Sequence, residues 1–494
     1  MSRTAPLLLG IDQGTSATKA ILVDLSGSIV ARASVAIGES RPQPGWVEQD
    51  PDEIWRSVQA AVADVSQGQS ASAIQAIGLS VQRESALLWE RTSGRAVAPL
   101  LSWQDRRTAA LCDQLRTNAT AEMVQAKSGL PLDPMFSACK MSWLLDQYDP
   151  SRTRSKAGAL CLGTIESWLL FKLSGAHITE PGCASRTQLL NIRRLNWDDE
   201  LLALFNIPRA ALAEIRPSAG KLALARGLPP LAETVPVMAA MGDSHAALFA
   251  HGGDEPNQIK VTYGTGSSIM GLIEQPEDLG EGLCLTIGWQ METIRWAAEG
   301  NIRATGAALR WVANLLRCSV EDLAALAETS ESQDVVLVPA FNGLGAPWWD
   351  DKAVGLITNL SLAADSGSLA RAAFESVAHQ VTDVVQAMKS RIRVKALFTD
   401  GGPSQNHSLM QLQSDLSGLP ILCSTASDLS ALGVVHMAGL AQGLWSKTDW
   451  QTLPRQHQRF LPHMHEPERQ KKRRNWQRAV ARARFQPHPE HIQD

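Results

Sequence analysis

Three short glycine-rich turns stand directly behind apolar runs: Asp12-Gln13-Gly14-Thr15-Ser16, Gly264-Thr265-Gly266-Ser267-Ser268 and Asp400-Gly401-Gly402-Pro403. Glycine lets a backbone approach a phosphate closely, so that successive amides and a Thr or Ser hydroxyl donate to its oxygens. A carboxylate at a strand end is repelled by phosphate, so Asp12 suits Mg²⁺ or a water on it. Any one of these turns is equally well a plain loop. Three of them, in this order and spacing, point to a cleft that handles phosphate. The chain has no GxxxxGK and no GxGxxG sequence, so neither the P-loop nor the dinucleotide fingerprint is present.

A fourth position is Asp243, in the otherwise apolar, small-residue segment MAAMGDSHAALFA (238–250). A carboxylate among such neighbours is costly unless it has a task or a partner. As an N-cap it would start the helix SHAALFA. Beside a bound hydroxyl it would accept the proton during phosphoryl transfer. The two roles are compatible. Arg83-Glu84 follows the run IGLSVQ, and Trp103-Gln104-Asp105-Arg106-Arg107 follows APLLS. Charges and a Trp behind apolar strands belong at the mouth of a sheet, where α/β proteins bind ligands. Arg and Glu suit adjacent hydroxyls, and Trp suits the C–H face of a polyol. Taken alone, a surface salt bridge beside a partly buried Trp is the simpler account.

These residues need a scaffold, and the sequence supplies one twice. Apolar runs at 5–11, 19–25 and 28–37 read as strands, with 12–18 as a polar turn. PDEIWRSVQAAVADV (51–65) has helical spacing, capped by Asp50 or Asp52, and IQAIGLSVQ (74–82) returns as a buried strand. The plan recurs with strands at 258–264, 269–274, 283–290 and 293–299, a turn at 265–268 and a helix at 306–317. It closes with a long amphipathic helix (369–388), a strand into a Gly turn (394–402), a helix stopped by Gly418, and the small-residue helix 430–443. Residues 150–235 read as the rest of the first unit. The basic stretch 469–484 reads as a solvated terminal helix. Strands alternating with helices predict an α/β fold with mixed sheets, in two related domains facing one another, 1–250 and 251–494.

Composition agrees. A chain of 494 residues is too long for one core. Its net charge of -4 argues against a nucleic-acid partner. No apolar stretch reaches the ~20 residues of a membrane span. Seven scattered cysteines without a CxxC pair suggest reduced thiols in a cytoplasmic protein.

Taken together, the stretches GIDQGTSATKAILVD, GWVEQDPDEIW, QRESALLW, SWQDRRT, MFSACKMSWLLDQ, GDSHAALF, TYGTGSS, VPAFNGLGAPWWD, DGGPSQN and LMQLQSDLSG resemble the FGGY family of carbohydrate kinases. The likeness covers nearly the whole chain and is nearest to the family's glycerol kinases. It implies two ribonuclease-H-like domains of the actin/hexokinase-like ATPase kind, with ATP and a small polyol or sugar in the cleft between them. By position, it implies that Asp12 is the Mg²⁺-associated carboxylate. Thr15, Ser16 and Lys19 would approach the nucleotide phosphates, and Thr265, Gly306, Arg310, Gly402 and Asn406 would complete the nucleotide site. Lys19 stands where glycerol kinases usually have Arg, and Arg310 where Gln is frequent. Arg83, Glu84, Trp103 and Asp243 match the acceptor-binding set, with Asp243 as catalytic base. Homo-oligomers are common in the resembled family.

Three acceptor positions depart from that pattern. Met135 replaces a Tyr, Ser244 a Gln and Ser268 a Phe, which predicts a wider pocket and altered specificity. PSAGKLALARGLPP (217–230) stands where some bacterial glycerol kinases carry a Gly-Gly-Lys-Gly-Gly regulatory loop, so fructose-bisphosphate control is not expected. Glycerol is the first expectation for the acceptor, and a pentulose or tetritol the alternative. A non-catalytic sugar-responsive protein is disfavoured by the presence of Asp12, Thr15, Asp243 and Thr265. A chaperone-like ATPase is disfavoured by the QRE and WQDRR segments, for which it has no use.

Overall fold

The computed structural model describes residues 5–253, 258–276, 279 and 282–485. Strand β1 (Leu7–Gln13) is buried nearly throughout, and the chain returns as β2 (Ala17–Asp24) and β3 (Ile29–Ala36). The first phosphate-type turn is therefore only residues 14–16. Helix α1 (Pro51–Val65) begins where the Asp50 side chain accepts from the Asp52 amide, and it buries Ile54, Val58, Ala61, Val62 and Val65. Strand β4 (Ile74–Val81) then runs parallel to β1. Helices α2 (Ser137–Tyr148) and α3 (Pro181–Ser185) and strands β5 (Ala219–Leu224) and β6 (Pro236–Gly242) follow. Helix α4 (Asp243–Ala250) leaves the end of β6. The first sheet has the order β5-β6-β4-β1-β2-β3.

The second half repeats the plan. Its strands are β7 (Gln258–Tyr263), β8 (Ser267–Ile273), β9 (Cys284–Gln290) and β10 (Ile294–Ile302), followed by α5 (Gly306–Leu316) and α6 (Ser366–Met388). Then come β11 (Ala396–Asp400), α7 (His407–Ser417), β12 (Ile421–Ser424), α8 (Leu429–Ala441), β13 (His457–Phe460) and α9 (Glu466–Arg484). The sheet order is β9-β10-β8-β7-β11-β12-β13. In each sheet an antiparallel meander, of three strands in the first and four in the second, is followed by two parallel strands and an antiparallel one. This is the mixed α/β architecture that the repeated strand-turn pattern predicts.

Three local readings are corrected. The second turn spans 264–266, because Ser267 and Ser268 already pair in β8 with Tyr263 and Thr262. Asp243 is the first residue of α4, not its cap: Gly242 holds the cap position, and the Asp243 side chain accepts from the Ser244 amide at 2.6 Å. Helix α9 is not merely solvated. Trp476, Ala479, Val480 and Ala483 are buried against Val338, Ala340, Leu344 and Ala353, and Trp476 Nε1 donates to Asp383 at 2.7 Å.

The cores interlock the two halves. Helix α8 comes from the second half yet lies on β1 and β4 and against α4 of the first. It comes close because glycine stands at each crossing. A Cβ on Gly10 would stand 2.6 Å from the Ala431 carbonyl, and one on Gly78 or Gly433 would collide with the backbone of Val434 or Ala246. Residues of the first half such as Leu88, Leu144 and Leu190 share one core with Ile259, Ile287 and Val381 of the second. Among the described residues no helix is long and apolar enough to cross a membrane.

Candidate active site

Arg83, just beyond the C-terminal end of β4, stands beside Asp243 at the end of β6 and meets Glu299 of β10 in the other sheet. Asp12 is the penultimate residue of β1, and its Oδ1 accepts from Ser80 Oγ at 2.7 Å across the parallel pairing. Burial pushes the Asp12 carboxyl up to about 6, helped by the charges of Asp243 and Asp428 and opposed by Ser80 and Lys19. Lys19 lies opposite Asp12 in β2, and its Nζ stands 3.6 Å from Asp428 Oδ1. Asp428 Oδ2 also accepts from Arg32 Nε at 3.1 Å. Thr15 Oγ1 accepts from Trp103 Nε1 at 3.0 Å, which joins the 14–16 turn to the 102–107 loop. Ser16 is exposed.

The second turn is tied to the start of α5. Gly264 N donates to Gly266 O at 2.8 Å, and Gly306 N donates to Gly264 O at 3.0 Å. A Cβ on Gly306 would stand 2.5 Å from the Gly264 carbonyl, so only glycine permits this approach. Arg310 Nη2 reaches the Thr265 hydroxyl at 3.3 Å. The third turn abuts the second, since Gly401, at φ +92°, presses on the Tyr263 backbone. Gly402 faces open space, and Asn406 Oδ1 accepts from the Leu409 amide at 2.8 Å as the cap of α7. The structure thus gathers Thr265, Gly306 and Arg310 in direct contact and sets Gly402 beside them. Asn406 carries a structural duty of its own.

Arg83 and Glu84 follow β4 and are buried. Arg83 Nη1 and Nη2 donate to Glu299 Oε2 and Oε1 at 2.9 and 2.7 Å, and Arg83 Nε stands 3.4 Å from Asp243 Oδ1. Glu84 Oε1 accepts from Arg186 Nε at 2.5 Å, and Arg186 Nη1 lies 3.0 Å from Glu299 Oε2. Glu299 ends up between two guanidinium groups, which hold its carboxyl far below the ordinary range despite complete burial. Burial raises the Asp243 carboxyl, Arg83 lowers it and Glu84 raises it. Ser244 is buried behind Asp243. Ser268 Oγ donates to Glu299 Oε1 at 3.2 Å. Met135 is half-buried and joins this group through Lys140, whose Nζ donates to the Glu84 carbonyl at 3.0 Å and the Met135 carbonyl at 2.5 Å.

Sequence reasoning missed Arg186, Glu299, Asn301 and Lys260. Each is a polar or charged residue inside or at the end of an apolar strand or short helix, and that was the available signal. Lys260 is buried on β7, beside Thr262 and within reach of the charges of Asp400 and Asp243. A cavity of about 840 Å³ opens elsewhere, between Arg106 and the loop Phe341–Gly343, and the residues around Asp243 do not line it. The arrangement sets the Asp243 carboxylate beside a guanidinium fixed by Glu299, and the second sheet carries backbone turns of a kind that suits phosphate oxygens.

Comparison with known proteins follows the same lines. Residues 7–250 match the FGGY family of carbohydrate kinases, N-terminal domain, and residues 259–442 match the C-terminal domain of that family. The chain is 42% identical to an apulose kinase of Pectobacterium atrosepticum, covering 98% of this chain and 99% of that one. It is also 42% identical to a glycerol kinase of Aromatoleum aromaticum, covering 97% and 98%. The crystal structure of Plasmodium falciparum glycerol kinase with ADP superimposes with a TM-score of 0.90 at 27% identity, covering 98% of this chain and 99% of that one.

Proposed function

The chain belongs to the FGGY family of carbohydrate kinases, and from that premise we propose that it transfers the γ-phosphoryl group of ATP to a hydroxyl of a small polyol or sugar, with Asp243 as the base. The observation that carries this reading is Asp243 Oδ1 held 3.4 Å from Arg83 Nε, whose other nitrogens are gripped by Glu299 of the second sheet. In this reading residues 1–250 supply the acceptor site and the first phosphate turn, and residues 251–494 supply the nucleotide site.

Phosphoryl transfer asks for alignment and charge neutralisation more than for covalent help. Arg83 and Glu84 grip adjacent hydroxyls of the acceptor, and Trp103 covers its C–H face. Asp243 takes the proton as the acceptor oxygen attacks. The amides of the 14–16 and 264–266 turns receive the phosphates, with Thr15, Ser16 and Thr265 adding hydroxyls. Lys19 leaves Asp428 for a phosphate oxygen. Gly306, Arg310, Gly402 and Asn406 border the rest of the nucleotide. Among the described residues no cluster of three or more His, Cys, Asp or Glu could hold a metal. Mg²⁺ would be held by Asp12 together with phosphates and water, which is how this ion usually binds nucleotides, and its charge would offset theirs. The Asp12 carboxyl, raised by burial and by the nearby charges of Asp243 and Asp428, fits such a cation.

Glycerol is the first acceptor to test. A pentulose or tetritol is the second reading, supported by Met135, Ser244 and Ser268 and by the similarity to an apulose kinase. The test is ADP release with Mg-ATP against glycerol, tetritols, pentitols and ketopentoses. Turnover with any of these supports the proposal. ATP binding without acceptor-dependent turnover on any of them overturns it.

A further inference from the structure

Ser268 and Asn301 face each other directly across the antiparallel pairing of β8 and β10. Glu299 lies two residues from Asn301 and so projects from the same face. Its Oε1 accepts from Arg83 Nη2, from Ser268 Oγ at 3.2 Å and from Asn301 Nδ2 at 3.1 Å. Asn301 Oδ1 in turn accepts from Arg186 Nη2 at 3.2 Å. Glu299 and Arg186 are wholly buried, whereas Ser268 and Asn301 are half-buried.

The orientation of the Asn301 amide is fixed by chemistry. A guanidinium can only donate and a carboxylate can only accept, so the oxygen must face Arg186 and the nitrogen Glu299. Each partner uses half of the amide's capacity. One N–H and one oxygen lone pair remain, beside the two lone pairs of Ser268 Oγ. A group that both donates and accepts is satisfied by this set, and a hydroxyl is such a group. The pair sits on the carboxylate that anchors Arg83, so whatever binds Arg83 passes close to it.

Building on the proposed kinase activity, we infer that Ser268 and Asn301 bind a hydroxyl of the acceptor that glycerol lacks. They would make the chain selective for a polyol or ketose of four or five carbons. Neither residue touches the transferred group; both determine specificity.

The test compares kcat/KM for glycerol, erythritol, D-ribulose and D-xylulose in the wild-type chain and in Asn301→Ala and Ser268→Ala. Polar groups aimed at a ligand hydroxyl discriminate against an acceptor that lacks it, so the expected result is a wild-type preference for a longer acceptor. Asn301→Ala should narrow that preference by roughly two- to tenfold, the size of one lost hydrogen bond to an uncharged group. Ser268→Ala should narrow it in the same direction, and it keeps the test decisive if Asn301→Ala fails to fold. An equal fold-loss on glycerol and on the longer acceptors means that the pair only braces Glu299, and it overturns the inference. A wild-type preference for glycerol overturns it too, while leaving the kinase proposal intact. No acceptor-dependent turnover in the wild-type chain overturns both.

Discussion

Glu299 of the second sheet grips both terminal nitrogens of Arg83 at the end of the first, at 2.9 and 2.7 Å. The proposed acceptor clamp is therefore not a property of either sheet alone. Arg83 is buried and also faces Asp243 and Glu84, so its position sets the geometry of the whole acceptor group. Glu299→Gln would leave two buried guanidinium groups short of one charge. Removing one member of a buried pair costs about 3–5 kcal/mol. Denaturant unfolding should register a loss of that order. The kcat/KM for the acceptor should fall about 100-fold, while the KM for ATP moves much less. A stability loss with unchanged acceptor kinetics would restrict Glu299 to a structural role.

Asp243 is expected to set the acid limb of the pH profile. Its carboxyl is raised by burial, and a protonated carboxyl cannot accept the acceptor's proton. The kcat/KM for the acceptor should therefore rise with pH through a value above the ordinary 3.8 and then level. Asp243→Asn should lose this limb and about 10²–10⁴ in kcat, the usual worth of a general base, with ATP binding retained by calorimetry. Turnover within tenfold of wild type would remove Asp243 from the role.

Lys140 offers a pH test of the scaffold. It is buried and spends its protons on main-chain carbonyls of Glu84, Met135 and Phe136. Burial lowers its pKa from 10.5 to about 8, against the charges of Asp105, Glu84 and Asp133. Between these values the unfolded chain holds a proton that the folded chain has released. Folding stability therefore gains from this group as pH rises through the window, and the full penalty applies below about 8. Lys140→Met removes the titration. The difference in unfolding free energy between wild type and variant should move in favour of wild type between pH 8 and 10. A flat difference would show that Lys140 stays protonated throughout.

Much of this was legible in the sequence, for definite reasons. Helix α1 was readable to the residue, because Asp50, Pro51 and a clean apolar stripe mark its start and face. The three turns were readable because glycine after a buried run has few other uses. The partners of Arg83 and Glu84 were not, because Arg186 and Glu299 lie 102 and 216 residues away from them, on other elements. A lone Glu closing the strand TIRWAAE looks like an ordinary strand end until the other sheet supplies its cations. The docking of α9 was hidden by its composition: Arg and Lys dominate it, while Trp476, Ala479, Val480 and Ala483 make a narrow buried stripe. Asn406 was assigned by position to the nucleotide, and only the fold reveals its duty as the cap of α7.

The small-residue character of α8 ties a remote helix to the proposed base. Gly433 lies where a Cβ would overlap the Ala246 backbone of α4, whose first residue is Asp243. Ser430, one turn earlier, donates to the Asp243 carbonyl at 3.2 Å. Gly433→Ala must therefore push α8 and α4 apart, since backbone cannot yield as a flexible side chain does. Overpacking of this kind costs about 1–3 kcal/mol. The variant should unfold at lower denaturant and should also lose kcat, because α4 carries Asp243 away from Arg83. Ser430→Ala should weaken turnover in the same direction with little effect on stability. The measurement is denaturant unfolding together with kcat at a temperature where both variants remain folded. If Gly433→Ala loses stability but keeps wild-type kcat, the α8–α4 crossing supports the fold without positioning the base.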